Sequence, residues 1–264
     1  MRYLILGLKD FLDSFKLYEF WLHFAMHDVK MRYRRSVLGP FWITLTTLIT
    51  LTALGFLYAG MFKMEVKDYI PYLGLGLIFW GFISTSINES TTMFIDNTIL
   101  LKQLRVPFFV YSFRVVTRNL IILFHNMILL IPLYIFFKID LSLSSLIFFL
   151  FNLIIIFFLF VMIGIFTAIF STRFRDIPPM IGNILQVVFF LTPVIWMPDA
   201  IIGRKIATYV LDLNPFNHIL FSLRGPFLSY GFFDTLYILA LSLIFVCIAL
   251  FYVGKYKDKI IFWL

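Results

Sequence analysis

Long runs of residues without an ionisable side chain are the dominant feature of this sequence. Such runs of about 20 residues recur six times along the 264-residue chain, and a helix needs about that length to cross a bilayer. Only 14% of the residues are charged, whereas soluble domains carry about 25%. A soluble fold of this size cannot bury so much apolar surface. The sequence therefore excludes a soluble enzyme, a disordered tail and, because Cys247 is its one cysteine, a disulfide scaffold.

These runs predict an all-α membrane protein that forms one transmembrane domain over residues 1–264. Each run is long enough to span the apolar core of a bilayer as a single helix. The six predicted spans are residues 36–62, 69–95, 108–137, 143–170, 177–198 and 234–254.

Two segments outside the spans have patterns of their own. Residues 1–35 are predicted as a cytoplasmic amphipathic segment, because apolar side chains recur every three or four positions over 10–33. Residues 199–233 are apolar but interrupted by Gly and Pro, and broken backbone at membrane depth is tolerated only beside protein or a water-filled cavity. We therefore expect a re-entrant external segment with short helices near 200–211 and 215–227.

The distribution of basic residues sets the predicted orientation. Sixteen of the 22 Lys and Arg residues fall on the side that holds both chain ends, and the other six are matched by acidic residues. The whole net charge of +8 therefore lies on the first side, which the positive-inside rule makes cytoplasmic. We assign this charge to topology and anionic lipid, and expect no nucleic-acid partner.

A short leucine-rich helix is predicted on the cytoplasmic side, between spans two and three. Asp96 or Asn97 is suited to begin it, and Pro107 discourages its continuation. Its apolar residues are Ile99, Leu100, Leu101 and Leu104. Two interpretations are open: the helix docks against a partner protein, or it folds back on the bilayer.

Hydroxyl and amide side chains concentrate in the first two spans. Span two ends in a polar stretch from Ser84 to Thr92, and span one contains five threonines. These two helices are candidates for lining a hydrated path, although hydrogen bonding between helices explains the same residues equally well. Glu89, which lies within span two, is expected to pair with Arg114 or Arg118 rather than to relay protons.

Motifs for catalysis and nucleotide binding are missing from the sequence. It contains no G-x-x-x-x-G-K-[ST], no H-E-x-x-H and no G-x-S-x-G pattern. The chain is therefore not expected to be an enzyme or to hold a cofactor. Any ATP and Mg²⁺ that drive its activity are expected on a separate ATPase.

Four stretches of the chain resemble permeases of type-2 ABC exporters. Arg32 to Trp42, which reads Arg-Tyr-Arg-Arg-Ser-Val-Leu-Gly-Pro-Phe-Trp, is similar to the start of their first span. The other stretches are Leu101 to Pro107, Arg175-Asp176 through Thr192-Pro193-Val194, and Asn214-Pro215-Phe216. The resemblance covers the whole chain in order, and it is strongest to permeases that export O antigen and related bacterial polysaccharides.

That resemblance implies a homodimer with two copies of a nucleotide-binding ATPase in the bacterial inner membrane. The amphipathic segment and the short helix would meet the ATPases. Residues assigned to this coupling are Thr98, Ile99, Leu100, Leu101, Lys102, Leu104 and Arg105. The re-entrant helices would form an external gate. Residues assigned to that gate are Pro215, Phe216, Arg224 and Gly225. The substrate would be a polysaccharide on a polyprenyl diphosphate lipid, moved from the inner to the outer leaflet.

Two groups of side chains suit such a substrate. Aromatic rings offer apolar faces to sugars, while hydroxyls serve their polar edges. Candidates for lining the channel are Phe41, Trp42, Phe79, Trp80, Phe189, Phe190 and Trp196. Arg32, Arg34 and Arg35 lie at the predicted headgroup level, where guanidinium forks suit a diphosphate. The competing interpretation is that the rings pack or face lipid and the arginines only anchor the chain.

Three other functions fit parts of the same pattern. The same machine could carry teichoic acid, capsular polysaccharide, another lipid or a drug. A stand-alone channel would need no ATPase. A membrane enzyme that acts on polyprenyl lipids would need a cluster of acids or histidines at one depth, which the sequence does not show.

Overall fold

The fold is helical throughout the part of the chain that the structure describes. The computed structural model describes residues 1–39, 41–62, 64–104, 106–137, 139, 142–198, 209, 211–228 and 234–264. Its helices are α1 (Arg2–Lys16), α2 (Tyr18–Arg32), α3 (Phe41–Phe62), α4 (Val66–Asp96), α5 (Thr98–Gln103), α6 (Phe109–Asn126), α7 (Leu130–Phe137), α8 (Leu143–Arg173), α9 (Ile177–Leu191), α10 (Pro215–Arg224) and α11 (Asp234–Trp263), with 3₁₀ turns at Met127–Leu129 and Gly225–Phe227. The predicted all-α class is confirmed over these residues.

Five helical segments are long and apolar enough to cross a membrane. They are α3, α4, α8, α11 and the continuous segment Phe109–Phe137, which combines α6 with α7. Each coincides with a predicted span, and α11 continues to Trp263, well past the predicted end at residue 254. The structure therefore supports a multi-pass membrane protein.

The predicted fifth span is shorter than expected. It was predicted over 177–198, but α9 ends at Leu191 after 15 residues. A helix of that length covers about 22 Å, less than the roughly 30 Å of a hydrocarbon core. Thr192 is extended, with ψ of 138°, because the residue before a proline is pushed out of the helical region. Pro193 thus ends the helix early.

The N-terminal segment forms two helices where one was predicted. The predicted helix covered 10–33, whereas α1 begins at Arg2 and the chain bends at Leu17 before α2. The exposed apolar side chains of α1 are Tyr3, Leu4, Ile5, Leu8, Leu12 and Phe15. This exposed apolar face makes α1 amphipathic, whereas α2, which holds most of the predicted amphipathic stretch 10–33, has little separation of apolar and polar faces.

Reciprocal glycines bring α1 and α11 into close antiparallel contact. A Cβ atom added at Gly7 would collide with the carbonyl oxygen of Leu250. One added at Gly254 would collide with the carbonyl oxygen of Tyr3. No side chain fits in either place, so the two backbones touch directly. This contact puts both chain termini at one end of the molecule.

Helix α4 forms the centre of the helix bundle. Most of its residues are buried against the neighbouring helices, chiefly α3, α6, α8 and α9. Its contact with α6 and α8 depends on small residues, because a Cβ at Gly164 would lie 2.7 Å from the Ser90 hydroxyl and 2.9 Å from the Ser112 hydroxyl. Small residues allow such close approach between membrane helices.

We call the end that holds both termini, α2 and α5 the proximal end, and the end that holds the first residues of α4 and α11 the distal end. The predicted helix over 215–227 is present at the distal side, as α10 and the following 3₁₀ turn. Phe227 in that turn stacks on Phe79 of α4 at 6.0 Å, so this segment reaches inward along α4. The other predicted helix, over 200–211, lies almost entirely outside the described residues.

Candidate functional site

A groove of about 460 Å³ lies between α4 and α9. Trp80, Ser84 and Asn88 follow one another at one-turn spacing along α4, so they share a face. The lining residues are Trp80, Ser84, Thr85, Asn88, Gly182, Leu185, Gln186, Phe189 and Phe190. The groove therefore places hydroxyl and amide groups beside aromatic rings.

Aromatic rings close one end of the groove. The Trp80 ring lies 5.6 Å from the ring of Phe189 and 6.0 Å from that of Phe216 on α10, measured between centroids. Phe189 and Phe190 are in edge-to-face contact at 5.3 Å. Rings can cover the C–H face of a sugar, while amides and hydroxyls bond to its polar edge. The groove thus has the chemistry for weak contacts along a carbohydrate chain.

The predicted channel-lining rings separate into three groups: rings at the groove, one ring in the interior of the chain, and two rings at the start of α3. Trp80, Phe189 and Phe190 line the groove, and Trp196 donates its indole N–H to the carbonyl of Phe190 at 2.9 Å. Phe79 is fully buried inside the chain, between the rings of Phe149 and Phe227. Phe79 therefore packs the interior and presents no surface to a substrate.

Phe41 and Trp42 lie at the start of α3, outside the lining of the groove. Both are exposed. The predicted path between spans one and two is also not where the groove lies. The hydroxyls of Thr46, Thr47 and Thr52 donate to carbonyls one turn earlier in α3, which satisfies them within their own helix. The groove instead lies between α4 and α9.

Gln186 was not among the residues that the sequence singled out for the channel, whereas Asn88 lies in the polar stretch from Ser84 to Thr92 that was named for a hydrated path. Gln186 and Asn183 are the two amides of the otherwise apolar α9, and Gln186 lies one turn from Gly182. Isolated amides in an apolar helix are a weak signal, because membrane helices also use amides to bond to one another. Only the packing of α9 on α4 shows that this side chain faces the polar stretch of span two.

Five charged side chains meet at the proximal end, where α2, α4 and α6 come together. The Arg114 guanidinium binds the Asp28 carboxylate through Nε and Nη2, both at 2.7 Å. Glu89 accepts from Arg118 at 2.8 Å and from Arg32 at 2.7 Å. Arg118 also reaches Asp28 at 3.3 Å. The expected pairing of Glu89 with Arg118 is confirmed, whereas Arg114 pairs with Asp28. We call these five residues the ion cluster.

The ion cluster is joined to α5, the helix predicted to couple to an ATPase. Arg114 Nη1 donates to the Asn97 side chain, just before α5, at 2.9 Å. Leu101 is buried and fixes α5 to the bundle. Thr98 and Leu100 are half-buried, while Ile99, Lys102 and Leu104 are exposed. Arg105, also predicted for coupling, lies outside the described residues. Leu101 thus anchors the helix to the bundle. Ile99, Lys102 and Leu104, which directly follows the helix, form an exposed side that we call the open face of α5.

The three arginines predicted for a diphosphate differ in their surroundings. Arg32 is already bound to Glu89. Burial lowers the pKa of the Arg32 guanidinium, but the hydrogen bond and charge of the Glu89 carboxylate outweigh burial, so the pKa of Arg32 is raised. Arg34 and Arg35 are exposed, and among the described residues neither has an ion pair. Arg35 has a positive φ of 68°, which turns the chain sharply before α3.

The residues predicted for an external gate are largely enclosed. Arg224 is fully buried, and its guanidinium donates to the carbonyl of Pro193 at 3.0 Å and to the Tyr72 hydroxyl at 2.9 Å. Gly225 is also buried, whereas Pro215 and Phe216 are half-buried. The Asn214 side chain caps α10 by accepting from the Phe216 N–H.

Comparison with known proteins identifies the family. Residues 21–228 match the family model described as ABC-2 type transporter. The chain is 26% identical over 239 residues to an O-antigen export system permease protein, RfbA, of Klebsiella pneumoniae, covering 87% of this chain and 90% of that protein. It is 25% identical over 226 residues to RfbA of Myxococcus xanthus, covering 84% and 85%. The matched family model spans most of the chain, including both helices of the groove, and the chain therefore belongs to the ABC-2 type transporter membrane family.

Proposed function

We propose that this chain is the permease subunit of an ATP-driven exporter that moves a lipid-linked polysaccharide, similar to O antigen, across the bacterial inner membrane. It works as a homodimer with two copies of a separate ATPase, and both chain termini face the cytoplasm. The curated relatives of Klebsiella pneumoniae and Myxococcus xanthus, both named as O-antigen export permeases, support this substrate class.

The groove between α4 and α9 is the observation that carries the proposal. A long sugar polymer must slide, so its path needs many weak contacts rather than one tight site. Phe189 and Phe190 supply stacking faces, with the mostly buried Trp80 ring packed against Phe189. Ser84, Asn88 and Gln186 supply hydrogen-bonding groups. A passage for a hydrocarbon-like drug would not need this row of amides and hydroxyls.

The open face of α5 is the proposed docking site for the ATPase. Ile99 is 73% exposed and Leu104 is 43% exposed, at the proximal end that the surplus of basic residues places in the cytoplasm. Exposed apolar residues on a short helix indicate a partner surface. The ion cluster connects α5 to α2 and α6 through the bond between Arg114 and Asn97. A displacement of α5 by the ATPase is therefore transmitted to the transmembrane helices.

Arg34 and Arg35 are the proposed contacts for the diphosphate of the lipid carrier. Both lie just before α3, at the proximal end, and are exposed. Arg32 is less suited to this role, because its guanidinium already binds Glu89 at 2.7 Å. Guanidinium groups bind phosphate through paired N–H donors, so the two guanidinium groups of Arg34 and Arg35 suffice for one diphosphate.

Deletion of the gene tests the proposed function. The account expects polymer to accumulate on its lipid carrier inside the cell, and the wild-type gene to restore surface polymer. Accumulation of a teichoic acid, a capsular polymer or another lipid would keep the exporter and change its substrate. Continued transport without any ATPase would indicate a stand-alone channel, and loss of a lipid modification without loss of transport would indicate an enzyme.

A further inference from the structure

The chain that follows α9 is fastened to the start of α4. We call residues 192–197 the corner. The Tyr69 hydroxyl donates to the carbonyl of Ile195 at 2.7 Å, and the Tyr72 hydroxyl donates to that of Pro193 at 2.9 Å. A Cβ at Gly76 would lie 2.8 Å from the carbonyl oxygen of Val194. Three successive turns of α4 therefore hold the corner.

Arg224 joins α10 to the same two elements. Its Nη1 donates to the carbonyl of Pro193 at 3.0 Å, and its Nη2 donates to the Tyr72 hydroxyl at 2.9 Å. Its guanidinium also lies over the Tyr72 ring, 3.8 Å from the centroid. A second tie joins Asn214 Nδ2 to the Thr192 hydroxyl at 2.9 Å. The guanidinium thus connects α10, the corner and α4 in one buried place.

Further contacts fix α10 to the other helices of the distal end. Asn152 on α8 donates its side-chain N–H to the carbonyl of Ser222 at 2.7 Å. His218 Nδ1 lies 2.6 Å from a carboxylate oxygen of Asp234 at the start of α11. Phe216, on the first turn of α10, lies against Trp80 in the groove. The position of α10 therefore decides where the aromatic end of the groove sits.

We infer that Arg224 is a positioning residue that locks α10 and the corner to α4, so that these elements move as one body during transport. This inference rests on the proposed function and goes beyond it. In this account α10 keeps its position relative to α4 during transport. The distal end of the polymer path then opens between two copies of the chain, and not by a movement of α10 away from α4. The lock also holds Phe216 against Trp80 and so keeps the groove in shape.

The choice of arginine follows from the geometry of the lock. A planar guanidinium can donate to two acceptors at once and stack on an aromatic ring, and Arg224 does all three. A lysine keeps the charge but cannot reproduce the fork or the stack. Arg224→Lys therefore separates the positioning role from the mere presence of a buried charge. The matched control is Lys67→Gln, which changes an exposed residue of α4.

Hydrogen exchange on the purified chain tests the lock without reference to a substrate. Arg224→Lys is expected to raise amide exchange at least about tenfold in residues 192–197 and 215–228, which corresponds to a loss of about 1.4 kcal/mol, and to leave α6 unchanged. Lys67→Gln is expected to change neither region. Unchanged exchange in a folded Arg224→Lys variant would overturn the lock, whatever the transporter carries.

Cross-linking tests whether the locked elements move together. In a Cys247→Ala background, Thr192→Cys and Asn214→Cys are bridged with a short bis-methanethiosulfonate reagent. Export, or the ATPase turnover of the assembled transporter, is expected to stay within about twofold of the reduced protein. Loss of turnover that a reducing agent restores would show that α10 parts from the corner and would overturn the inference. Wild-type protein that turns over ATP without exporting polysaccharide would count against the proposed substrate only.

Discussion

The Asp28 carboxylate accepts two hydrogen bonds from the Arg114 guanidinium, each of 2.7 Å, although the residues are 86 positions apart in the chain. Both side chains are mostly buried, with 13% and 18% of their surface exposed. The pair joins α2 to α6, and Arg114 also binds Asn97 beside α5. It thus connects the amphipathic segment, the proposed coupling helix and a transmembrane helix.

Asp28→Asn is expected to destabilise the folded protein by about 3 kcal/mol, because removing one partner leaves an arginine buried without its counter-charge. The matched control is Asp13→Asn, whose pair with Lys16 is exposed and is worth about 0–1 kcal/mol. Unfolding by denaturant in micelles, followed by Trp fluorescence, measures both. Equal stability of the two variants would mean that the Asp28 pair contributes nothing.

Ile99→Asp combined with Leu104→Asp is expected to weaken binding of the ATPase at least about tenfold, since it puts charge on the open face of α5. Insertion and stability should stay as in the wild type. Leu101→Asp is expected to behave differently and to lose the fold of α5, because Leu101 is buried. Copurification of the ATPase from membranes distinguishes the variants, and full copurification of the double variant would remove α5 as the docking site.

Phe190→Ala, at a groove ring that is 63% exposed, and Gln186→Leu are expected to slow export by about tenfold or more each, because each removes one kind of contact with sugar, a ring face or an amide. Thr52→Ala is the control, since that hydroxyl donates to the carbonyl of Leu48 within α3. The rate at which labelled polymer reaches the cell surface is the measurement. Normal rates for both groove variants would show that polymer does not use this groove.

Asp10 predicts a specific pH dependence at the contact between α1 and α6. Burial raises the pKa of its carboxyl from 3.8 to about 6, even though the N–H groups of Phe109 and Phe108 and the charge of Lys257 act in the opposite direction. The folded state therefore holds this proton more tightly than the unfolded state. Stability contributed by the protonated carboxyl is complete below about pH 4 and falls as the pH rises to about 6.

Asp10→Asn is expected to remove that dependence, because the amide cannot ionise and its oxygen can still accept from the Phe109 N–H. Unfolding of wild type and variant at pH 4, 5, 6 and 7 supplies the measurement. The difference between them should grow in favour of the variant between pH 4 and 6 and then stay constant. A constant difference over the whole range would contradict the raised pKa.

The spans were predictable because hydrophobic length is a local property of the chain. α4 and α8 are close to their predicted bounds, and the pairing of Glu89 with Arg118 followed from the cost of a lone charge in a membrane. What the sequence could not predict is which helices pack together. Phe79 and Phe190 are alike in sequence, yet one is fully buried and the other is 63% exposed, because only tertiary packing decides which ring faces the groove.

The corner and Arg224 illustrate the same limit. The resemblance assigned Arg224 to an external gate, and nothing within α10 indicates that its side chain reaches Tyr72, 152 positions earlier in the chain. The early end of α9 was foreseeable in part, since Thr192 precedes Pro193 and such a residue avoids the helical region. The consequences of that ending for packing depend on α4, which the local sequence does not encode.

Photo-cross-linking from the groove tests the central claim most directly. A benzophenone amino acid replaces Gln186 in the groove or, as a control, the exposed Leu243 of α11, and export is stalled with a non-hydrolysable ATP analogue before illumination. The account predicts a covalent adduct with polysaccharide from position 186 and none from position 243. Absence of an adduct at 186, or equal adducts at both positions, would contradict the claim that the groove between α4 and α9 carries the polymer.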